Sequence, residues 1–123
     1  MNRNTLRDYC LSLKATTAEF PFGPDAEVFK VLGKMFAIIP PDADPPTISL
    51  KCDPVLAEIL RQTYPAVAPG YHLSKKHWNT ITIDGSVPED EVFEMIDNSY
   101  ALVVKGLTKA QREQLGNVAA KNA

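Results

Sequence analysis

Residues 40 to 46 read Pro-Pro-Asp-Ala-Asp-Pro-Pro and hold four of the ten prolines of the chain. A proline ring fixes φ and removes the backbone donor, so this stretch fits neither a helix interior nor a central strand. It is a stiff connecting loop, and what flanks it decides the architecture. Upstream, the apolar runs Val28 to Leu32 and Met35 to Ile39 lie either side of the pair Gly33-Lys34. Gly33 at the first turn position suits a type II′ hairpin, because that position needs positive φ. Downstream, Ile48, Leu50 and Cys52 alternate with Thr47, Ser49 and Lys51, the period of a strand with one wet face. Ala18, Phe20 and Phe22 alternate before the hairpin. Near the other end, Ile81 and Ile83 alternate with Trp78, Thr80 and Thr82.

Helical spacing fills the intervals. Leu6, Tyr9, Cys10 and Leu13 form one stripe, with Asn2 or Asn4 as N-cap. Asp53 and Pro54 make an N-cap and first-turn pair for a second helix that Pro65 stops after Tyr64. The longest helix has Pro88 in its first turn, Ser86 and Glu89 spaced as a capping box, and Gly106 where a C′ residue belongs. Its core stripe is Val92, Ile96, Tyr100, Val103 and Leu107. Thr108 with Gln111 is a second box that opens a short last helix. The order helix, strands, helix, strand, helix implies an α+β fold with helices on one side of an antiparallel sheet. The expected organisation is a single domain over residues 1–115 and a flexible tail over 116–123, where neither period nor bulk persists.

With 123 residues, 45% hydrophobic and 23% charged, the chain can bury one core without a staple. Cys10 and Cys52 are too few and too far apart for a disulfide scaffold or a four-ligand zinc site, so reduced thiols are expected. The opening lacks a signal-peptide pattern, and no apolar run nears the roughly 20 residues of a membrane span; a cytoplasmic location and no membrane partner follow as expectations. The net charge of −2 gives no global case for nucleic acid.

Locally the charge is bipolar. Between Ile59 and Ile83 there is no Asp or Glu, whereas Arg61, Lys75 and Lys76 are basic and His72 and His77 can protonate. Asp84, Glu89, Asp90, Glu91, Glu94 and Asp97 then follow with no Lys or Arg among them. The functional reading is a loop that delivers Lys75 and Lys76 to phosphates while Tyr71 or Trp78 offers a flat face. Lys51 and Trp78 would stand on the wet sheet face beside it, and Lys34 at the hairpin turn. The bland readings are lysines that guard sheet edges and a tryptophan that simply packs. His72 and His77, five apart on a loop, lack the shared face of a helical metal pair, so no metal ion is expected. Ser74 or Cys10 with a histidine lacks a nucleophile elbow and an orienting acid; no catalytic residue, no cofactor and no enzymatic activity are expected.

"FPFG" at 20–23, "KVLGKMFAII" at 30–39, "SLKCDP" at 49–54, "YHLSKKHWNTITIDG" at 71–85 and "SYALV" at 99–103 occur in this order. Together they resemble the MmcQ/YjbR family of small bacterial proteins, over about residues 2 to 114. The resemblance implies a two-layer CyaY-like, that is frataxin-like, α+β sandwich and a "double wing" DNA-binding role. Frataxins bind iron through acids of the first helix, but here that helix carries Asp8 beside Arg3, Arg7 and Lys14. The expected function is a small monomeric binding protein that contacts DNA weakly and without sequence preference. Its candidate contacts are Lys34, Lys51, Tyr71, His72, Lys75, Lys76, His77 and Trp78. The alternative is a protein-interaction or adaptor module using the same face or the acidic stripe Asp90, Glu94 and Asp97; a third is a small-ligand site near His72 and His77.

Overall fold

The computed structural model describes residues 1–70 and 73–122, with side chains described as far as Gly116. Four helices and six strands follow in the order α1 (Arg3–Ser12), β1 (Thr16–Glu19), β2 (Glu27–Val31), β3 (Lys34–Ile39), β4 (Thr47–Lys51), α2 (Pro54–Thr63), β5 (Val67–Pro69), β6 (Trp78–Thr82), α3 (Glu89–Lys105) and α4 (Lys109–Asn122). The strands form one antiparallel sheet in the order β1-β2-β3-β4-β6-β5. α1 and α3 pack on one face, where Leu6, Cys10, Val92 and Ile96 meet Phe29, Val31, Ile48, Leu50 and Ile81 in a single core. Leu56 and Leu60 of α2 face Leu50, Ile81 and Met95, so α2 lies on the same side. Among the described residues no helix packs on the other face of the sheet. This is the α+β architecture implied by the element order.

The local signals that hold are those with one geometric solution. Asn2 caps α1 through Thr5 N–H, and Asp53 caps α2 through Val55 and Leu56 N–H with Pro54 behind it. Thr108 and Gln111 form the reciprocal box that starts α4. Four expectations change. The hairpin turns on Leu32 and Gly33, at φ +46° and +83°, with Val31 facing Lys34; both central residues are left-handed, which makes it type I′ and not II′. Ser86 does not cap α3, because its N–H and hydroxyl both bond the Asp84 carboxylate, and Pro88 opens that helix with no side-chain cap. Between Pro65, which stops the second helix, and Trp78, a stretch to which the sequence assigns no element, lies a further strand, β5, at the sheet edge. Gly106 ends α3 with φ −85°, not left-handed.

Two linked irregularities shape the middle of the sheet. Phe29 pairs with Ala37 and Lys30 with Met35, so Phe36 is an extra residue bulging from β3. The bulge turns Phe36 into the core, edge-on to Tyr100 at 5.4 Å, and leaves Met35 on the helix-free face. Next to it, β3 and β4 pair only at Ala37–Leu50 and Ile38–Ser49. Ser99 of α3, fully buried, occupies the break. Lys51 N–H donates to its Oγ at 2.9 Å, and its hydroxyl donates to the Phe36 carbonyl at 2.6 Å. One hydroxyl thus replaces a ladder bond that the strands cannot make directly. Replacing it with alanine strands a buried donor and a buried acceptor, each costing about 1–3 kcal/mol. Ser99→Ala is therefore expected to lower unfolding free energy by about 2–4 kcal/mol in urea titration; a loss below about 0.5 kcal/mol would mean those backbone groups find other partners.

Candidate nucleic-acid interface

Antiparallel pairing puts the start of β3, the end of β4 and the start of β6 at one end of the sheet. Lys34, Lys51 and Trp78 occupy those positions, and Lys75 and Lys76 lead into β6 at the same end. The end of α3, with Lys105, arrives there too, and the Gln111 amide bonds the Leu32 carbonyl, bringing Lys109 and the start of α4. Lys34, Lys75, Lys76 and His77 are exposed and Lys51 is half-buried. Among the described residues none of these four lysines makes an ion pair. The opposite end is acidic: Glu19, Asp25, Asp42, Asp44 and Asp84 sit on its loops and strand termini, and Glu89, Asp90 and Glu91 fill the first turn of α3. The bipolar run of charges seen along the chain is thus a bipolar molecule.

The turn that carries Lys75 and Lys76 is held from beneath. The Ser74 carbonyl accepts from His77 and Trp78 N–H, and Cys52 N–H donates to the His77 carbonyl at 2.7 Å. Arg61 of α2 donates to the carbonyls of Lys75 and Trp78 and, at 2.7 Å, to Asn79 Oδ1, while Asn79 itself is buried against the Ala57 carbonyl. Arg61 therefore acts as a strut, with its donors spent on two backbone carbonyls and the Asn79 side chain. Gly70 N–H donates to the Trp78 carbonyl, and a Cβ at Gly70 would meet Trp78 Cβ at 2.9 Å, so only glycine allows this approach.

These contacts correct one expectation. Trp78 shares the helix-free face with Lys51, but it is only 6% exposed and cannot offer an open ring. Thr47, Ser49, Lys51 and Thr80 do share that face, with Ser49 and Thr80 hydroxyls 2.8 Å apart. Lys51 is nevertheless the only cation among these four side chains on that face. The face is the floor of a trough of about 700 Å³ walled by Phe22, Met35, Ile38, Pro40 and Leu73, with the cations gathered beyond one end. Phe22, placed in a strand by alternation, stands 72% exposed on the β1–β2 loop, and Phe20 is 47% exposed. The flanking "PFGP" was the signal for that loop. Tyr71 and His72 lie outside the described residues, and among the described residues no three of His, Cys, Asp and Glu converge on a point. No described helix is long and apolar enough to cross a membrane.

Both thiols are held in the neutral form. Burial pushes the Cys10 thiol up to about 12, and burial, then the neighbouring Asp53 charge, raises that of Cys52. Because the folded Cys10 value exceeds the unfolded one near 9, its contribution is complete below pH 9 and is lost as pH rises towards 12. At pH 8 a thiol reagent such as dithionitrobenzoate is expected to leave Cys10 unmodified in the native protein and to label it after unfolding; labelling without unfolding would contradict this burial.

A family model described as YjbR matches residues 11–102. The chain is 35% identical over 111 residues to the uncharacterized protein YbdF of Escherichia coli O157:H7, covering 90% of this chain and 91% of that one. It is 34% identical over 115 residues to the uncharacterized protein YjbR of Escherichia coli K12, covering 94% and 98%. Among solved structures, the Deinococcus radiodurans protein DR2400 superposes with a TM-score of 0.86 at 47% identity, over 92% of this chain and 86% of that one. A Pseudomonas syringae protein superposes at 0.72 with 28% identity, over 83% and 98%.

Proposed function

The chain belongs to the YjbR family, and we propose that it is a small monomeric binding protein that engages nucleic-acid backbone weakly and without sequence preference through its basic pole. The observation that carries this reading is the segregation of charge. Lys34, Lys51, Lys75 and Lys76 lie at one end without carboxylate partners among the described residues, with Asp53 committed there to capping α2, and Glu19, Asp25, Asp42, Asp44, Asp84 and the first turn of α3 lie at the other. Ammonium groups on flexible stems attract phosphates as point charges and read no base edges. The rigid turn beneath Lys75 and Lys76 lowers the ordering cost of presenting them.

Binding through three or four phosphate contacts gives a log–log salt slope of about −2.7 to −3.6 on duplex DNA. Fluorescence anisotropy with one labelled duplex at several salt concentrations is expected to show that slope. Lys75→Glu/Lys76→Glu should weaken binding by roughly tenfold or more. A flat salt dependence, or unchanged affinity in the double variant, would overturn the reading.

The trough favours a second reading, in which an extended apolar segment of a protein partner lies along the helix-free face against the exposed Phe22. The two separate cleanly. Phe22→Ala would then abolish capture of the partner while the lysine variant left it intact, and the reverse pattern assigns the interaction to the basic pole.

A further inference from the structure

The break in the sheet opens a cleft. β3 begins at Lys34 and β4 ends at Lys51, yet their ladder stops at Ala37–Leu50, where Ser99 takes the next donor and acceptor. Beyond that stop lies a cavity of about 330 Å³. Its walls come from both layers: Lys34, Met35, Lys51 and Trp78 from the sheet, Leu102 and Val103 from α3. Paired strands about 4.8 Å apart would close over the helix; side chains of both layers share one cavity here because the strands have parted.

The lining sets the chemistry. Lys34 and Lys51 supply two positive charges, no Asp or Glu lines the cavity, and neither lysine is in an ion pair among the described residues. Between them stand the apolar side chains of Met35, Leu102 and Val103 and a narrow edge of the near-buried Trp78 indole. α3 ends here, adding about half a negative charge from its last carbonyls. Gly106 N–H already turns back onto the carbonyls of Leu102, Val103 and Val104, and two ammonium groups outweigh the remainder. We propose that this cleft binds a small aryl phosphate monoester, with the anion between Lys34 and Lys51 and the ring against Met35 and the exposed edge of Trp78. The cleft shares Lys34 and Lys51 with the nucleic-acid reading but uses neither Lys75 nor Lys76, and those two residues tell the readings apart.

Trp78 is the only tryptophan, so its indole N–H gives a single assignable signal in a proton–nitrogen correlation spectrum. Titration with 1-naphthyl phosphate is expected to shift that signal saturably. Inorganic phosphate, which lacks the ring, and 1-naphthol, which lacks the charge, should each bind at least roughly tenfold more weakly, as should naphthyl phosphate to Lys34→Gln/Lys51→Gln. Lys75→Glu/Lys76→Glu should bind it as the parent does, even where that variant has lost DNA. Absence of a saturable shift, naphthol binding as tightly as its phosphate, or unchanged affinity in Lys34→Gln/Lys51→Gln would overturn the proposal. Equal weakening by the Lys75 and Lys76 changes would also overturn it, by merging the cleft with the nucleic-acid surface.

Discussion

Ser99 sets the middle of this fold because it lets two central strands part without leaving their backbone groups unpaired. Its hydroxyl both accepts and donates, and it stands on a helix already pinned to the sheet by Val92, Ile96 and Val103. The break is tolerable only because α3 fills it, and α3 is located partly by filling it. The bulge at Phe36 belongs to the same arrangement: it offers the carbonyl that Ser99 bonds and turns a phenyl ring inward against Tyr100, whose hydroxyl in turn donates to the Lys14 carbonyl. The helix face, the Met35 wall of the trough and the cleft between Lys34 and Lys51 all follow from this one region.

At the other end a different polar group fixes the first helix. Glu27, 3% exposed on β2, receives Arg3 at 2.6 Å and Arg7 at 3.1 Å from α1. A carboxylate this deep is tolerable only with such partners, and removing either would leave charge in a poorly hydrated place. The consequence reaches beyond stability. Two of the chain's arginines are consumed at the acidic end and a third, Arg61, by the carbonyls under the 74–78 turn. The fourth, Arg112, stays exposed on α4, while Lys34, Lys51, Lys75 and Lys76 at the end of the sheet are a composition suited to loose attraction more than to bidentate recognition.

Much of the architecture was legible because its signals were local. Asp53-Pro54, Thr108 with Gln111, and the alternation from Thr47 to Lys51 each admit one structural answer. What escaped depended on distant partners. Alternation from Lys34 would keep Phe36 and Ile38 on one face, and only the bulge separates them. Ser86 had two acids within reach, and the nearer Asp84 won it from Glu89. Leu32 at positive φ is unusual for a branched side chain and could not be read from a Leu-Gly pair. β5 carries a proline and borrows its register from β6, and the burial of Trp78 depends on the approach of Gly70. In the candidate site the lysines were found by composition, whereas the apolar trough was not, since Phe22, Ile38 and Leu73 come together only in the folded sheet.

The net charge of −2 is a poor guide to what such a molecule attracts. β4 and β6 each span five residues, or about 16 Å at roughly 3.3 Å per residue, and they separate the two charged poles. At physiological ionic strength screening acts over about 8 Å. A polyanion touching the basic pole therefore feels the nearby lysines at close to full strength and the acids hardly at all. At low ionic strength, where the screening length approaches about 30 Å, both poles act together and the molecule behaves as a dipole that turns its basic end towards the polyanion before contact. Position along the strands, more than the sum of charges, decides which partner is attracted.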